Sequence, residues 1–168
     1  MSYLKPHDVA VALQLTIEPE ATYRRLAESA GLSQGEVHNA VKRLAQARLV
    51  AAGTRTVNRR ALLEFLSAGV PYAFAEVPGP ETRGVPTAHA APPLVEEFSD
   101  APAFVWPHAQ GTVRGQAITP LYPAATATVD HNPALYELLA LVDAVRVGRA
   151  RERQRALQIL TTRLHEDT

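Results

Sequence analysis

The chain has 168 residues and no cysteine, and its 17 Lys+Arg balance its 17 Asp+Glu. The missing cysteine excludes disulfides, thiolate metal sites and cysteine nucleophiles, and 46% hydrophobic with 20% charged residues is the composition of a globular chain. No apolar run approaches the roughly 18–20 residues that span a bilayer, and residues 1–20 lack the layout of a signal peptide, so a cytoplasmic protein without a membrane partner is expected.

Pro6 opens a short apolar helix carrying Val9, Leu13 and Leu15, and Pro19 breaks the chain after it. A second helix is predicted over about residues 20–29, with Tyr23, Leu26, Ala27 and Ala30 on one face. Gly31 and Leu32 make a turn. Ser33 then caps a third helix over 34–47, with Glu36 placed for a capping box and Val37, Val41 and Leu44 facing inward. Residues 49–52 and 55–57 read as two short strands around Gly53 and Thr54. Asn58 caps a fourth helix over about 59–68, which turns Leu62, Leu63, Phe65 and Leu66 inward.

Ten of the 13 prolines lie between Pro71 and Pro123, so the middle of the chain is expected to be extended or looped. Residues 103–106 and 112–118 could pair as a hairpin. Residues 84–89 read as ordered loop, and 94–98 as one or two helical turns. Asn132 before Pro133 starts a helix with Leu135, Leu138, Leu139, Val142 and Val145 at helical spacing, and Gly148 kinks or ends it. Residues 150–164 continue with Ala156, Leu157, Leu160 and Leu164. Arg146, Arg149, Arg151, Arg153 and Arg155 would bind phosphate or an acidic partner, or simply form a solvated helix surface.

Charge divides along the same boundaries. Residues 1–60 carry nine cations against five acids (+4), residues 61–105 one against six (−5), and residues 106–168 seven against six (+1). Overall neutrality therefore conceals a basic head and an acidic middle, which should face away from any polyanionic partner of the head or pair with the arginine-rich tail.

Residues 26–44 bear most directly on function. Steeply crossing helices need a small residue where they touch, which is Ala27. Their turn needs a residue tolerant of positive φ, which is Gly31 four positions later, and Val37 anchors the next helix. With the hairpin beyond it, the stretch from about 5 to 67 resembles the winged helix-turn-helix regulators of the MarR and IclR type. The resemblance implies an α+β chain, mainly helical. Residues 1–68 would form the winged helix-turn-helix domain, and 69–168 a C-terminal region for dimerisation or for sensing a partner or effector. That region comprises the proline-rich middle 69–131 and a helical tail 132–165.

By the same resemblance, the helix over 34–47 enters the major groove and the wing over 50–57 lies beside it. Ser33, Gln34 and Gly35 stand at the helix start, where backbone N–H groups can meet phosphate, and His38, Asn39, Lys42 and Arg43 on the outward face. Thr54 and Arg55 lie on the wing with Arg59 and Arg60 nearby, and Arg24 and Arg25 of the preceding helix meet phosphates. The implied function is a sequence-specific regulator of transcription, a repressor that binds a palindromic operator as a homodimer through its terminal helices. The alternative is an antitoxin-like or adaptor protein whose winged helix and C-terminal region hold a protein partner.

No catalytic motif is present: there is no phosphate-binding glycine loop, no nucleophile elbow and no H-E-x-x-H. An enzyme and a cofactor are therefore not expected. His89, His108, His131 and Asp130 could meet only through loops, without metal-ligand spacing, so no metal site is expected. Trp106, Tyr72, Phe74, Phe104 and Tyr122 would form either an effector pocket or a core cluster, the latter being preferred.

Overall fold

The computed structural model describes residues 3–165, and its first four helices begin where the sequence supplies their caps. Helix α1 (Pro6–Ile17) has Pro6 at its first position, and the Asp8 carboxylate accepts from the Lys5 amide at 2.9 Å. Helix α2 (Tyr23–Ala30) starts three residues later than expected, because Thr22 is its cap and accepts from the Arg25 amide. Helix α3 (Gln34–Gln46) is capped by Ser33, whose Oγ accepts from the Glu36 amide and donates to the Glu36 carboxylate, both at 3.1 Å. Helix α4 (Arg59–Ala68) is capped by Asn58 as expected.

The segment between α3 and α4 turns back on itself, but the two expected strands reduce to one bridge, Val50 to Val57. Two further backbone bonds, from Ala51 to Thr56 and from Asn58 to Leu49, close it. Thr54 Oγ1 donates to the Ala51 carbonyl and accepts from the Thr56 amide, which tightens the tip.

Helix α1 carries a polar residue only at Asp8 and Gln14 within its central eight, so it has no solvent face, and residues 8–15 are all buried. It packs on α2 and α3 on one side and on helix α7 (Pro133–Val147) on the other. Helix α7 is also enclosed all round, from Leu135 to Val145 except for the half-buried Glu137. Helix α8 (Ala150–His165) packs on α7 and α4, and Gly148 ends α7 with extended backbone. The boundary expected at residue 68 falls between α4 and the four-residue α5 (Val70–Ala73), but one hydrophobic core runs through both parts of the chain.

The proline-rich middle is more ordered than its composition implies. Strand β1 (Glu81–Thr87) comes from residues expected to be mostly loop. It runs antiparallel to β2 (Phe104–Pro107) and to β3 (Val113–Ala117), and the three close into a small barrel. The expected hairpin between 103–106 and 112–118 is therefore wrong: β2 and β3 are parallel, each joined to β1. Gly84 is the point where β1 changes partner, facing both Pro107 and Val113. A Cβ there would lie 2.0 Å from the Trp106 carbonyl oxygen, so only glycine permits this closure. Residues 94–98 form hydrogen-bonded turns, and a four-residue helix, α6 (Thr128–His131), precedes α7.

Among the described residues no helix is long and apolar enough to cross a membrane.

Candidate nucleic-acid interface

Helices α2 and α3 meet through Gly31, which adopts φ +72° and closes α2 by donating to the Ala27 carbonyl. That conformation is strained for any residue with a side chain. Leu26, Ala27 and Ala30 of α2 and Val37, Ala40, Val41 and Leu44 of α3 are buried against α1, and this fixes which side of α3 remains outside. The outer side presents Gln34, Gly35, His38, Asn39, Lys42 and Gln46. The side chains of Gln34, Asn39, Lys42 and Gln46 are exposed and make no hydrogen bond among the described residues. Such a face can offer amide pairs to a base edge and a cation to phosphate without first breaking internal contacts.

The other expected contact residues divide. Arg60 is exposed, and Arg24 is exposed with a 3.4 Å ion pair to Glu28. Ser33 caps α3, and Thr54 holds the tip of the 50–57 turn-back. His38 stacks on Tyr23 with ring centroids 3.7 Å apart. Arg25 forms two bonds to the Glu18 carboxylate, both at 3.2 Å.

Three more of the expected contact arginines are held by internal partners. Arg43 forms a two-pronged bond with the Asp8 carboxylate, both contacts 2.8 Å, and its side chain is 11% exposed. Asp8 is buried at 1% exposure, so an apolar helix needs this cation to neutralise it. Burial holds the neighbouring His7 imidazole below its usual 6.5; Asp8 opposes that shift and Arg43 adds to it. Arg55 turns away from the tip of the 50–57 turn-back to donate to the Ala21 carbonyl at 3.0 Å and lies over the Tyr23 ring. Arg59 donates to the Thr16 and Leu164 carbonyls, which joins α4 to the ends of α1 and α8. The sequence reading missed Arg48. It is exposed between α3 and the 50–57 turn-back with φ +66°, and its guanidinium makes no hydrogen bond among the described residues. Its only sequence signal was its place between the helix and the first residue of the turn-back.

The C-terminal arginines are also partly internal. Arg146 pairs with the buried Asp143 at 2.8 Å, Arg155 with Glu97 at 3.0 Å and Arg163 with Glu137 at 2.8 Å. The Glu97 pair joins the acidic middle to the arginine-rich tail within one chain. Asp143 Oδ2 also accepts from Thr87 Oγ1 and Trp106 Nε1, each at 2.7 Å, which pins the barrel to α7. Burial pushes the Asp143 carboxyl above its ordinary range, against the opposing pull of Arg146 and these hydrogen bonds.

The aromatic set does not form one cluster: Trp106 and Tyr122 are buried in the core, Phe74 and Phe104 half-buried, and Tyr72 is 78% exposed. His108 and His131 lie at the surface while His89 is buried, and among the described residues no group of three or more His, Asp or Glu could hold a metal ion. His89 Nε2 lies 2.8 Å from the Pro102 carbonyl and its Nδ1 3.7 Å from the Glu152 carboxylate. Its neighbour Glu152 lines a cleft of about 570 Å³ between residues 97–101 and 149–152.

No family model, curated protein or solved structure matches the chain.

Proposed function

We propose that this chain is a sequence-specific DNA-binding regulator that places α3 in the major groove, with the 50–57 turn-back beside it, and acts as a repressor. The observation that carries this reading is the outer face of α3. Its Gln34, Asn39 and Lys42 are free of internal partners, on a helix whose inner face is fully buried and whose entry angle is held by Gly31. In this reading Gln34 and Asn39 face base edges, while Lys42, Arg48, Arg60 and Arg24 neutralise phosphates. Arg43, Arg55 and Arg59 hold the scaffold. Two copies on a palindrome would supply the affinity one reading helix lacks. The leucines of α7, and Leu160 and Leu164 of α8, are buried within the chain and Leu157 is half-buried, so pairing of copies would use another surface.

The test is selection of duplexes from a randomised pool, followed by titration across salt concentrations. Affinity for the enriched duplex should fall steeply as salt rises. Asn39→Ala should cost about 1–3 kcal/mol on the enriched duplex and little on a scrambled one. Lys42→Ala should weaken both and lower the salt slope by about one. If the chain enriches no duplex at low salt, the reading fails.

A second reading, an adaptor or antitoxin-like module, is favoured by one observation. Four head arginines, Arg25, Arg43, Arg55 and Arg59, are held by internal acids or carbonyls, which leaves fewer of the head's cations open to phosphate than its sequence suggests. Binding to a co-expressed neighbouring gene product that persists at high salt, with no duplex enriched, would establish it.

A further inference from the structure

The last carbonyls of an α-helix have no intrahelical partner. At the end of α2 these are the carbonyls that lead into the turn before α3, and residues about a hundred positions later satisfy two of them. The Tyr122 hydroxyl donates to the Ala30 carbonyl at 2.7 Å, and Asn132 Nδ2 donates to the Ser29 carbonyl at 2.9 Å. Asn132 Nδ2 also donates to Gln14 Oε1 of α1 at 2.9 Å, while its Oδ1 accepts from the Leu135 amide as the cap of α7. Between these two residues, Ala124 approaches Gly31 so closely that a Cβ on the glycine would lie 3.0 Å from the alanine Cβ. The segment from 122 to 132 is thus a strap fastened to the last two residues of α2 and to the turn glycine. Tyr122 is 4% exposed, and burial keeps its hydroxyl protonated well beyond the usual tyrosine range, so it remains a donor.

We propose that Tyr122 and Asn132 are positioning residues for the recognition helix: the direction in which α3 leaves the turn is set by the C-terminal half of the chain. This rests on the DNA-binding reading above. It deepens that reading, because a change in the strap or in the first turn of α7 would be transmitted to the base-reading face. The path is short and covalently simple: α7 cap, Asn132 amide, Ser29 carbonyl, Gly31 turn, α3.

The experiment uses the full chain as wild type, Tyr122→Phe, Asn132→Ser and the double variant. Serine keeps an oxygen to cap α7 but loses the amide donor, and phenylalanine removes only the hydroxyl. Each protein is titrated with the duplex that the wild type enriches from a randomised pool and with a scrambled duplex of equal length. In the double variant, affinity for the enriched duplex should fall about tenfold, in line with the two hydrogen bonds lost from the end of α2, while scrambled-duplex affinity and its salt slope stay put. A merely destabilised protein would lose both affinities together. An unchanged ratio of the two affinities in the double variant overturns the positioning role and leaves the DNA-binding reading standing. A wild type that enriches no duplex overturns that reading, and the positioning role with it. Should the double variant fail to fold, Tyr122→Phe alone decides by the same ratio, with a smaller shift expected.

Discussion

Two buried carboxylates account for much of what the charged residues do in this chain. Asp8 in α1 and Asp143 in α7 each lie on a helix with no solvent face, and each is matched by an arginine at 2.8 Å. Removing one member of such a pair leaves an uncompensated buried charge, which costs about 3–5 kcal/mol. Asp143→Ala, which also orphans Trp106 Nε1 and Thr87 Oγ1, is expected to lower unfolding free energy by about that amount in urea titration. Arg43→Ala should likewise act on stability, in contrast to Lys42→Ala at the adjacent, exposed position of the same helix, whose urea midpoint should stay at the wild-type value. His7 adds a pH dependence whose sign follows from its environment. Its folded-state pKa lies below 6.5, chiefly through burial, so folding favours the neutral ring. The resulting stabilisation is complete above about pH 6.5 and is lost as pH falls through the lower folded value. Thermal unfolding followed from about pH 8 to pH 5 should therefore decline less steeply in His7→Gln than in the wild type. Parallel curves would remove His7 from the account.

At the scale of elements, local rules served wherever an element's own residues settle its ends. Thr22, Ser33, Asn58 and Asn132 all cap helices, and the bounds of α3 and α4 agree with expectation to within a residue. The α2–α3 turn depends on one residue in the same way. Gly31→Ala must place a Cβ at φ +72° and against Ala124, and about 1–2 kcal/mol of destabilisation is expected in urea titration. A cost near zero would show that the turn can relax. Local rules failed in the barrel. The segments that became β2 and β3 were recognisable as extended, but their partner was not, since Pro86 and Gly84 made β1 resemble loop. Strand pairing is a long-range choice, here decided by a glycine that lets β1 lie against two neighbours at once.

For the whole molecule, the consequential feature is the place of α7. Its leucines have the spacing of an interface helix, and they do form an interface, but one internal to the chain. It covers α1 on one side and carries α8 and the barrel on others. An apolar face read from sequence states that something covers it, not what does. The head consequently lacks a closed core of its own: Val9, Leu13 and neighbouring residues of α1 are buried in a core continuous with α7. A fragment of residues 1–68 is therefore expected to give no cooperative thermal transition and poor amide dispersion, whereas the full chain unfolds in one step. A fragment with a sharp transition of its own would show that the head is an independent domain.

The sequence by itself determined the helix starts, the helix-turn-helix spacing from Ala27 through Gly31 to Val37, and the polar outer face of α3, because caps, turn glycines and 3.6-residue periodicity act within about a dozen residues. Only the tertiary structure decided which cations of the basic head remain open. Lys5, Lys42, Arg48 and Arg60 look the same in sequence as Arg43, Arg55 and Arg59, yet the last three are held by groups up to 105 positions away. The physical reason is that a guanidinium reaches several ångströms and binds whichever carboxylate or free carbonyl the fold brings near it. The neutrality of the whole chain thus resolves into a head of +4 in sequence and a smaller set of open cations in space.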